Sequence, residues 1–214
     1  LAQLSIEIRR LLDAAGFKNA KIMASNELDE KIIRDLKKQG AQINLWGVGT
    51  NLITAKDQPA LDGVYKLSAI QNDQGEWVSK LKVSEQLVKT TNPGTLQVRR
   101  FYDEMGKATG DMLYDIENEA PKTCTLIDPM DPSSRKVIPD STQGKDLLVP
   151  IFLNGKKVYD SPNLRDIRLN TQTELDTLHP SVRRFLHPHG YFMGLEKSVY
   201  DLKMELINQI KEKK

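Results

Sequence analysis

Cysteine is almost absent from this sequence of 214 residues, in which Cys124 is the single example. One thiol cannot form an internal disulfide, so no such bridge stabilises the fold. Long apolar runs are also missing, since none approaches the roughly 20 residues that a membrane-spanning helix needs. The start of the chain has no basic and apolar signal-peptide pattern, which gives secretion no support. We therefore expect a cytoplasmic protein without a membrane partner.

An excess of one charge is missing as well. The 31 Lys and Arg residues and the 29 Asp and Glu residues leave a formal net charge of +2. Broad electrostatic attraction needs a larger imbalance or a clustered patch. The composition therefore gives no support for a nucleic-acid partner.

The first 60 residues alternate between helical and strand patterns. One helical pattern runs from about residue 2 to 15 and ends at Gly16, and a second ends at Gly40. Short apolar segments at 20–24 and 43–46 predict strands. This alternation with short connections is typical of a parallel α/β sheet or barrel. We expect the carboxyl ends of the two strands to share one edge.

A glycine-rich turn at residues 46–51 follows the second predicted strand. Two glycines one residue apart allow main-chain N–H groups to approach an anion closely. Ligands of α/β folds bind at the carboxyl ends of strands. Gly47, Gly49 and Thr50 are therefore predicted to bind a phosphate, although the same pattern also occurs in ordinary turns.

Polar residues after the first predicted strand leave two interpretations open. Ser25 and Asn26 would lie at the same edge as the glycine turn. They also fit the start of the second helix, where short polar side chains cap the main chain. Asp29 and Glu30 form a candidate pair of catalytic carboxylates, but the positive end of a helix accounts for them better.

From about residue 61 the pattern changes to short β-like segments separated by turn residues. These segments are 64–70, 77–83, 97–102, 112–116, 147–153 and 156–159. Residues 128–146 are rich in Pro, Ser, Asp and Gly and predict a long surface loop. Ser161 predicts a helix start, and an apolar stripe from Leu195 to Ile210 predicts a final helix. We therefore expect barrel-type units at 1–60 and a β-rich α+β domain at 61–214.

Two further groups of side chains are explained better as surface or packing residues than as functional ones. The histidines lack the helix or strand register that aims two rings at one metal ion. They are His179, His187 and His189. The basic residues of the β-like segments lack interleaved aromatics, so a solvated strand face is favoured over a pyrophosphate or nucleic-acid patch. They are Lys80, Lys82, Arg99 and Arg100.

Several ordered blocks together resemble a known family. The blocks are 24–30 (ASNELDE), 46–51 (WGVGTN), 58–67 (QPALDGVYKL), 89–94 (KTTNPG), 148–152 (LVPIF) and 201–207 (DLKMELI). In this order they resemble the carboxyl-terminal half of nicotinate phosphoribosyltransferases. The resemblance covers essentially this whole chain and about the last two-fifths to one-half of a family member.

The resemblance implies an enzyme that joins nicotinate to 5-phosphoribosyl 1-pyrophosphate. The products are nicotinate mononucleotide and pyrophosphate, in NAD biosynthesis. The family couples this reaction to ATP hydrolysis through a transiently phosphorylated histidine, and Mg²⁺ accompanies the pyrophosphate. The implied fold is an incomplete type II phosphoribosyltransferase α/β barrel followed by a second domain, in homodimers whose sites use both subunits.

By the same resemblance, Gly47, Gly49 and Thr50 would hold the ribose 5′-phosphate, and Ser25 and Asn26 would face the same phosphoribosyl group. The family's Arg-x-Asp-Ser-Gly-Asp segment and its phosphorylated-histidine region are not found in this sequence. We therefore expect no catalytic residue and no metal ligand in this chain.

The start of the chain bears on what it can do alone. The sequence begins at Leu1, and helical spacing starts almost at once. We expect an inactive fragment that forms a homodimer or joins a complementary amino-terminal half. A stand-alone module that binds a phosphorylated ligand or a protein remains the alternative. A phosphoribosyltransferase acting on nicotinamide or quinolinate fits the blocks 46–51 and 59–67 less well.

Overall fold

The computed structural model describes residues 1–61, 63–118 and 123–212. The chain divides into two compact units, Leu1–Val64 and Tyr65–Lys214. Asp62, which stands where the family resemblance leads one to expect glycine, lies outside the described residues. Within the described ranges, no helix is both long enough and apolar enough to cross a membrane.

The described residues of the first unit form three helices and a parallel pair of strands. In chain order these are α1 (Ala2–Ala14), β1 (Met23–Ser25), α2 (Glu30–Lys38), β2 (Leu45–Gly47) and α3 (Thr50–Ile53). The predicted helix ends are confirmed, because Gly16 and Gly40 adopt φ values of +88° and +79° that favour glycine. The predicted parallel strands are also confirmed, although both begin two or three residues later than expected.

A small apolar core holds this unit together. Buried side chains of α1, β1, α2 and the segment before α2 form it, with partly buried residues from α2 and from the segment around β2. The buried members are Ala2, Ala24, Leu28 and Leu36. Val48, which separates the two glycines of the turn, packs against the same core. Trp46 at the start of the turn packs there as well, so two apolar side chains anchor the turn.

The second unit is β-rich. Its strands are β3 (Ala69–Gln71), β4 (Trp77–Ser79), β5 (Leu96–Tyr102), β6 (Ala108–Asp115), β7 (Cys124–Ile127), β8 (Arg135–Ile138), β9 (Gln143–Asp146), β10 (Phe152–Leu153), β11 (Lys156–Lys157) and β12 (Met193–Glu196). Its helices are α4 (Leu164–Thr177) and α5 (Lys197–Glu212). Six strands form one sheet in the order β8-β7-β12-β6-β5-β9, and β3–β4 and β10–β11 form separate hairpins.

One face of the six-stranded sheet carries the core of this unit. Alternating residues of β5, β6, β7 and β8 supply it, as the period of two along a strand requires. Its buried members are Phe101, Met112, Tyr114, Cys124, Leu126 and Ile138. Helix α5 packs on β6, β7 and β12, with Val199 only 1% exposed. We call the face that bears Phe101 and Met112 the inner face.

Three predictions for the second unit were wrong. Residues 128–146 do not form a long loop, because they contain β8 and β9, which pair with β7 and β5. These are the two edge strands of the sheet, and edge strands carry polar residues that hide their strand character. Helix α4 is capped by Asn163 rather than started by Ser161. Leu195 belongs to β12, so the last helix begins at Lys197.

Candidate functional site

The carboxyl ends of β1 and β2 bring the predicted site residues together. The two strands run parallel, and Ser25 lies directly opposite Gly47 in the register. Each chain then leaves the sheet at the same edge, as expected for parallel strands. Asn26, Gly49 and Thr50 follow these ends and are exposed. We call Ser25, Asn26, Gly47, Gly49 and Thr50 the strand-end site.

The start of α2 excludes one of the two interpretations of Ser25 and Asn26. Asp29 is the capping residue, since its Oδ1 accepts a hydrogen bond of 2.7 Å from the N–H of Ile32. Ser25 and Asn26 therefore do not cap this helix. Asp29 and Glu30 serve the positive end of α2, which confirms their interpretation as helix-start residues rather than a catalytic pair.

A left-handed turn connects the strand-end site to α2. Asn26 has φ of +88° and Glu27 has φ of +46°. Asn tolerates this region better than most residues, whereas Glu adopts it less readily. Two successive left-handed residues bend the chain sharply after β1. No glycine marks this bend in the sequence, so the bend was not predicted.

The two glycines of the turn have different surroundings. A Cβ atom added to Gly47 would lie 2.9 Å from the Cε of Met23 and 3.0 Å from the Cβ of Ser25. A Cβ added to Gly49 would meet nothing within 4 Å. Gly47 therefore permits the close approach of β1 and β2, whereas the space beside Gly49 is open. The packing of the fold accounts for Gly47 but not for Gly49.

Helix α3 presents main-chain donors at this edge. Gly49 precedes the helix, and its carbonyl accepts hydrogen bonds from Leu52 and Ile53 at 3.0 and 3.1 Å. The first N–H groups of a helix lack acceptors within that helix. Thr50, the first helical residue, is exposed and adds a hydroxyl group. This arrangement offers neutral hydrogen-bond donors to an oxyanion.

Asn51 is a positioning residue that was not predicted from the sequence. Its Nδ2 donates a 2.9 Å hydrogen bond to the carbonyl of Leu28, which is 2% exposed and belongs to the core. Its Oδ1 is buried and, within the described part of the chain, has no hydrogen-bond partner. Asn51 thus ties the start of α3 to the segment before α2. The only indication of this role in the sequence is that Asn51 ends the glycine motif at 46–51.

A cleft of about 290 Å³ lies beside this tie. Asp29, Glu30, Asn51 and Asp57 contribute to its walls together with Lys56. Lys31 forms an exposed 3.4 Å ion pair with Asp57. The cleft is acidic in balance and contains none of the five residues of the strand-end site. Its charge does not suit an anion.

For Arg99 and Arg100 the predicted solvated strand face was wrong, because both form ion pairs, whereas Lys82 is exposed as predicted. Arg99 contacts Asp146 at 2.7 Å, and this hydrogen bond holds the pKa of the Asp146 carboxyl below its usual range. Arg100 contacts Asp111 at 2.8 Å and Glu174 of α4 at 3.1 Å. Both guanidinium groups are therefore engaged by carboxylates of the same unit.

The histidines do not form a metal site in the described residues, where no group of three or more His, Cys, Asp or Glu side chains is placed to hold an ion. His179 Nδ1 lies 2.7 Å from the hydroxyl of Ser181 and accepts from its N–H at 3.2 Å. His187 has a φ of +47° and is exposed. We therefore interpret these histidines as surface residues.

A buried lysine holds the segment 90–94. Lys203 of α5 is 8% exposed, and its Nζ donates to Asn92 Oδ1 at 2.8 Å and to the Thr90 carbonyl at 3.5 Å. Burial lowers the pKa of this ammonium group. Pro93 in the same segment is fully buried. The segment is therefore part of the interior of the second unit rather than an exposed binding loop.

The fold and the strand-end site define an α/β protein whose open glycine turn lies at the carboxyl ends of parallel strands. Residues 95–203 match the model of the nicotinate phosphoribosyltransferase C-terminal domain. The chain is 39% identical to the nicotinate phosphoribosyltransferase of Bacillus subtilis (strain 168), over 100% of this chain and 44% of that protein. It is 29% identical to the human nicotinate phosphoribosyltransferase, over 94% of this chain and 38% of that protein.

The fold is also similar to a solved one. The crystal structure of human nicotinic acid phosphoribosyltransferase aligns with a TM-score of 0.71 at 24% identity, covering 96% of this chain and 38% of that one. The chain belongs to the nicotinate phosphoribosyltransferase family. It spans 44% of the Bacillus subtilis relative and 38% of the human one, so less than half of either protein.

Proposed function

We propose that this chain is the carboxyl-terminal portion of a nicotinate phosphoribosyltransferase, which joins nicotinate and 5-phosphoribosyl 1-pyrophosphate in NAD biosynthesis. Two findings support the proposal. The chain belongs to this family, and relatives named nicotinate phosphoribosyltransferase align with all or nearly all of its length. In the whole enzyme the products are nicotinate mononucleotide and pyrophosphate, and the reaction is accompanied by ATP hydrolysis and Mg²⁺. The enzyme works in the cytoplasm.

In this proposal the strand-end site binds the 5′-phosphate of the ribose. The single observation that carries it is the open space beside Gly49, at an edge where Thr50 and the first turn of α3 supply donors. Neutral donors suit this task, because a phosphate ester accepts several hydrogen bonds from main-chain N–H groups. Ser25 and Asn26 face the same phosphoribosyl group from the neighbouring strand.

The other residues of the site act by positioning. Asn51 fixes the start of α3 against the segment before α2, and Gly47 allows the strand ends to approach. A fixed phosphate fixes the ribose, and orientation of a reactant lowers the barrier of the chemical step. The carboxylates and the histidine that perform the remaining steps in the family belong to parts of the enzyme outside this sequence. The chain alone is accordingly inactive.

The proposal also assigns the two units and their partners. The first unit, with a boundary near residue 60, belongs to an incomplete α/β barrel, and the β-rich remainder forms the second domain. A pair of parallel strands leaves unpaired edges in a short fragment. The chain therefore joins a complementary amino-terminal half or a second copy of itself.

A chimeric enzyme tests this function. The corresponding region of the Bacillus subtilis relative is replaced by this chain, and formation of nicotinate mononucleotide is followed by chromatography. We expect the chimera to make the product and this chain alone to make none. A folded chimera that binds nicotinate but makes no product would contradict the proposal. Activity of the isolated chain near that of the chimera would contradict the assignment of the catalytic groups to the missing half.

A further inference from the structure

A second candidate site lies in the β-rich unit, at one end of the inner face. Lys136 on the edge strand β8 shares the inner face with Ile138, since residues two apart in a strand point to the same side. It also lies directly opposite Leu126, another member of that core. A lysine at this position places an ammonium group where the neighbouring positions are apolar.

The sheet curls around this lysine. Lys136 Nζ donates a hydrogen bond to the carbonyl of Thr109 on β6, although β7 and β12 lie between β8 and β6 in the sheet. Neighbouring strands are about 4.8 Å apart, so a flat sheet would separate β8 from β6 by about 14 Å. The contact therefore requires strong curvature, and it places the ammonium at the open end of a half-closed sheet.

The charge of Lys136 has no anionic partner within the described ranges. Its hydrogen bond to Thr109 uses one of the three N–H donors of the ammonium group, and none of the ion pairs among the described residues includes it. Gly110 lies next to it, and a Cβ added there would be 3.7 Å from Nζ. A partly buried charge without a partner is costly, and an anion that binds it recovers part of that cost. Burial lowers the pKa of this lysine, and no neighbouring carboxylate offsets the effect.

A cleft of about 660 Å³ opens at this end of the sheet. Besides Lys136, its walls include Ser141 and Thr142, which carry hydroxyl groups. Thr109 also belongs to the walls, but its hydroxyl donates to the Phe101 carbonyl at 3.3 Å. Two carboxylates also belong to the walls. Asp103 Oδ1 accepts hydrogen bonds from the N–H groups of Met105 and Lys107 at 3.0 and 2.8 Å, so the hairpin turn uses it. Glu104 is exposed on the same turn.

We infer that this cleft binds a small molecule through a phosphate group held by Lys136 and the hydroxyls of Ser141 and Thr142. An ammonium group and two hydroxyl groups in the walls of one cleft can donate to the three oxygens of a phosphate group. The volume lies within the range of about 300–1,000 Å³ that small-molecule sites occupy, and it has room for an organic group beside the phosphate. This site is distinct from the strand-end site, because all its residues belong to the second unit.

Calorimetric titration of the full chain with inorganic phosphate and with ATP, at constant ionic strength, tests the inference. Lys136→Met removes the ammonium group, whereas Lys136→Arg keeps the charge. Lys107→Met is the matched control, because Lys107 Nζ also donates to a main-chain carbonyl, that of Asp176, but lies outside the cleft. We expect saturable binding that weakens about tenfold or more in Lys136→Met, as loss of a charge-assisted hydrogen bond implies. Lys107→Met should change the affinity less than about twofold.

Amide shifts in NMR spectra of the wild-type chain separate the two sites and do not depend on the variants folding. We expect phosphate to shift the amides of Thr109, Ser141 and Thr142. Tighter binding of ATP than of inorganic phosphate would identify a phosphate ester as the ligand, and the reverse order would identify the free ion. Absence of saturable shifts at these amides, or equal loss of affinity in Lys136→Met and Lys107→Met, would overturn the inference. Shifts confined to Gly49 and Thr50 would overturn it while supporting the proposed function.

Discussion

Only Val48 separates Gly47 from Gly49, but the two glycines have different neighbours. They should therefore differ in how well they accept a larger side chain. Gly47→Ala brings a methyl group to about the 3.0 Å distance from Ser25 Cβ that packed atoms avoid. We expect it to lower the free energy of unfolding by about 1–3 kcal/mol, as overpacking does. Gly49→Ala should lower it less than Gly47→Ala does, because the added methyl group meets no protein atom. Urea unfolding of both variants measures the difference, and equal effects would contradict the packing account.

The ion pair of Asp146 predicts a pH dependence of stability. The folded-state pKa of this carboxyl lies below the ordinary value of 3.8, chiefly because Arg99 donates a hydrogen bond to it. Its contribution is therefore complete above about pH 4 and is lost as the pH falls through the lower, folded-state value. The side chain is 38% exposed, so solvent screening limits the contribution to about 1 kcal/mol or less.

Asp146→Asn tests this dependence. We expect the wild-type chain to lose more stability than the variant between pH 5 and pH 2.5, measured by urea unfolding at each pH. Glu174→Gln serves as a control for loss of a carboxylate elsewhere on the same unit. Identical acid profiles of wild type and Asp146→Asn would show that the Arg99 pair contributes nothing to acid stability.

At the scale of elements, Lys203 joins α5 to the segment 90–94. Lys203→Met leaves the Oδ1 of Asn92 without its 2.8 Å partner inside the unit. We expect a loss of about 1–3 kcal/mol and faster hydrogen exchange in the segment, since an unpaired buried acceptor is costly. The amide of Gly94, which donates to Ser68 at 2.9 Å, is the reporter.

Lys197→Met is the matched control for this experiment. Lys197 lies on the same helix, but it pairs with Asp201 at the surface, where its side chain is 56% exposed. We expect a change below about 0.5 kcal/mol and unchanged exchange at Gly94. Equal protection of the Gly94 amide in Lys203→Met and wild type would contradict the role of Lys203.

The elements that the sequence predicted well are those with a strong local signal. The amphipathic pattern and terminal glycines located α1 and α2, and a β-like segment bounded by turn residues located β5. The segment predicted at 112–116 found only the second half of β6, which begins at Ala108. The edge strands β8 and β9 were missed because their pairing partners, not their own composition, make them strands. Strand β12 was missed because α5 follows it directly. Its Gly194 lies close to Leu126, where a Cβ would not fit, but a glycine is not a strand signal in the sequence.

The candidate site likewise has features that the sequence predicted and features that it did not. Parallel strands with polar ends predicted that Ser25 and Gly47 would share an edge, which the register confirms. The hydrogen bond from Asn51 to Leu28 joins residues 23 positions apart, and no local pattern announces it. The open space beside Gly49 likewise depends on how the strands and α3 pack. The shared strand edge was readable from the sequence, whereas side-chain contacts between distant residues were not.

At the scale of the whole molecule, many large apolar side chains are exposed. Helix α4 has no buried residue, and Leu164 and Leu169 on it are 81% and 66% exposed. Phe152 in the short β10 is 64% exposed. Helices of globular proteins normally bury an apolar stripe against a neighbour. These surfaces support the proposal that the chain joins a complementary half or a second copy of itself.

This exposure predicts association. We expect light scattering of the isolated chain to give a mass that rises with concentration to a dimer or more. Addition of an amino-terminal half from the Bacillus subtilis relative should replace the self-associated species by a defined complex. A monodisperse monomer at all concentrations that ignores the added half would contradict the assembly part of the proposal.

The most direct test of the central claim is the KM for 5-phosphoribosyl 1-pyrophosphate in the active chimera with and without Gly49→Ala. The methyl group fills space that the fold leaves open and that the phosphate is proposed to occupy. We predict a KM for this substrate raised about tenfold or more, which corresponds to about 1.4 kcal/mol of lost binding, with the KM for nicotinate unchanged. An unchanged KM for 5-phosphoribosyl 1-pyrophosphate in a fully active Gly49→Ala chimera would contradict the claim.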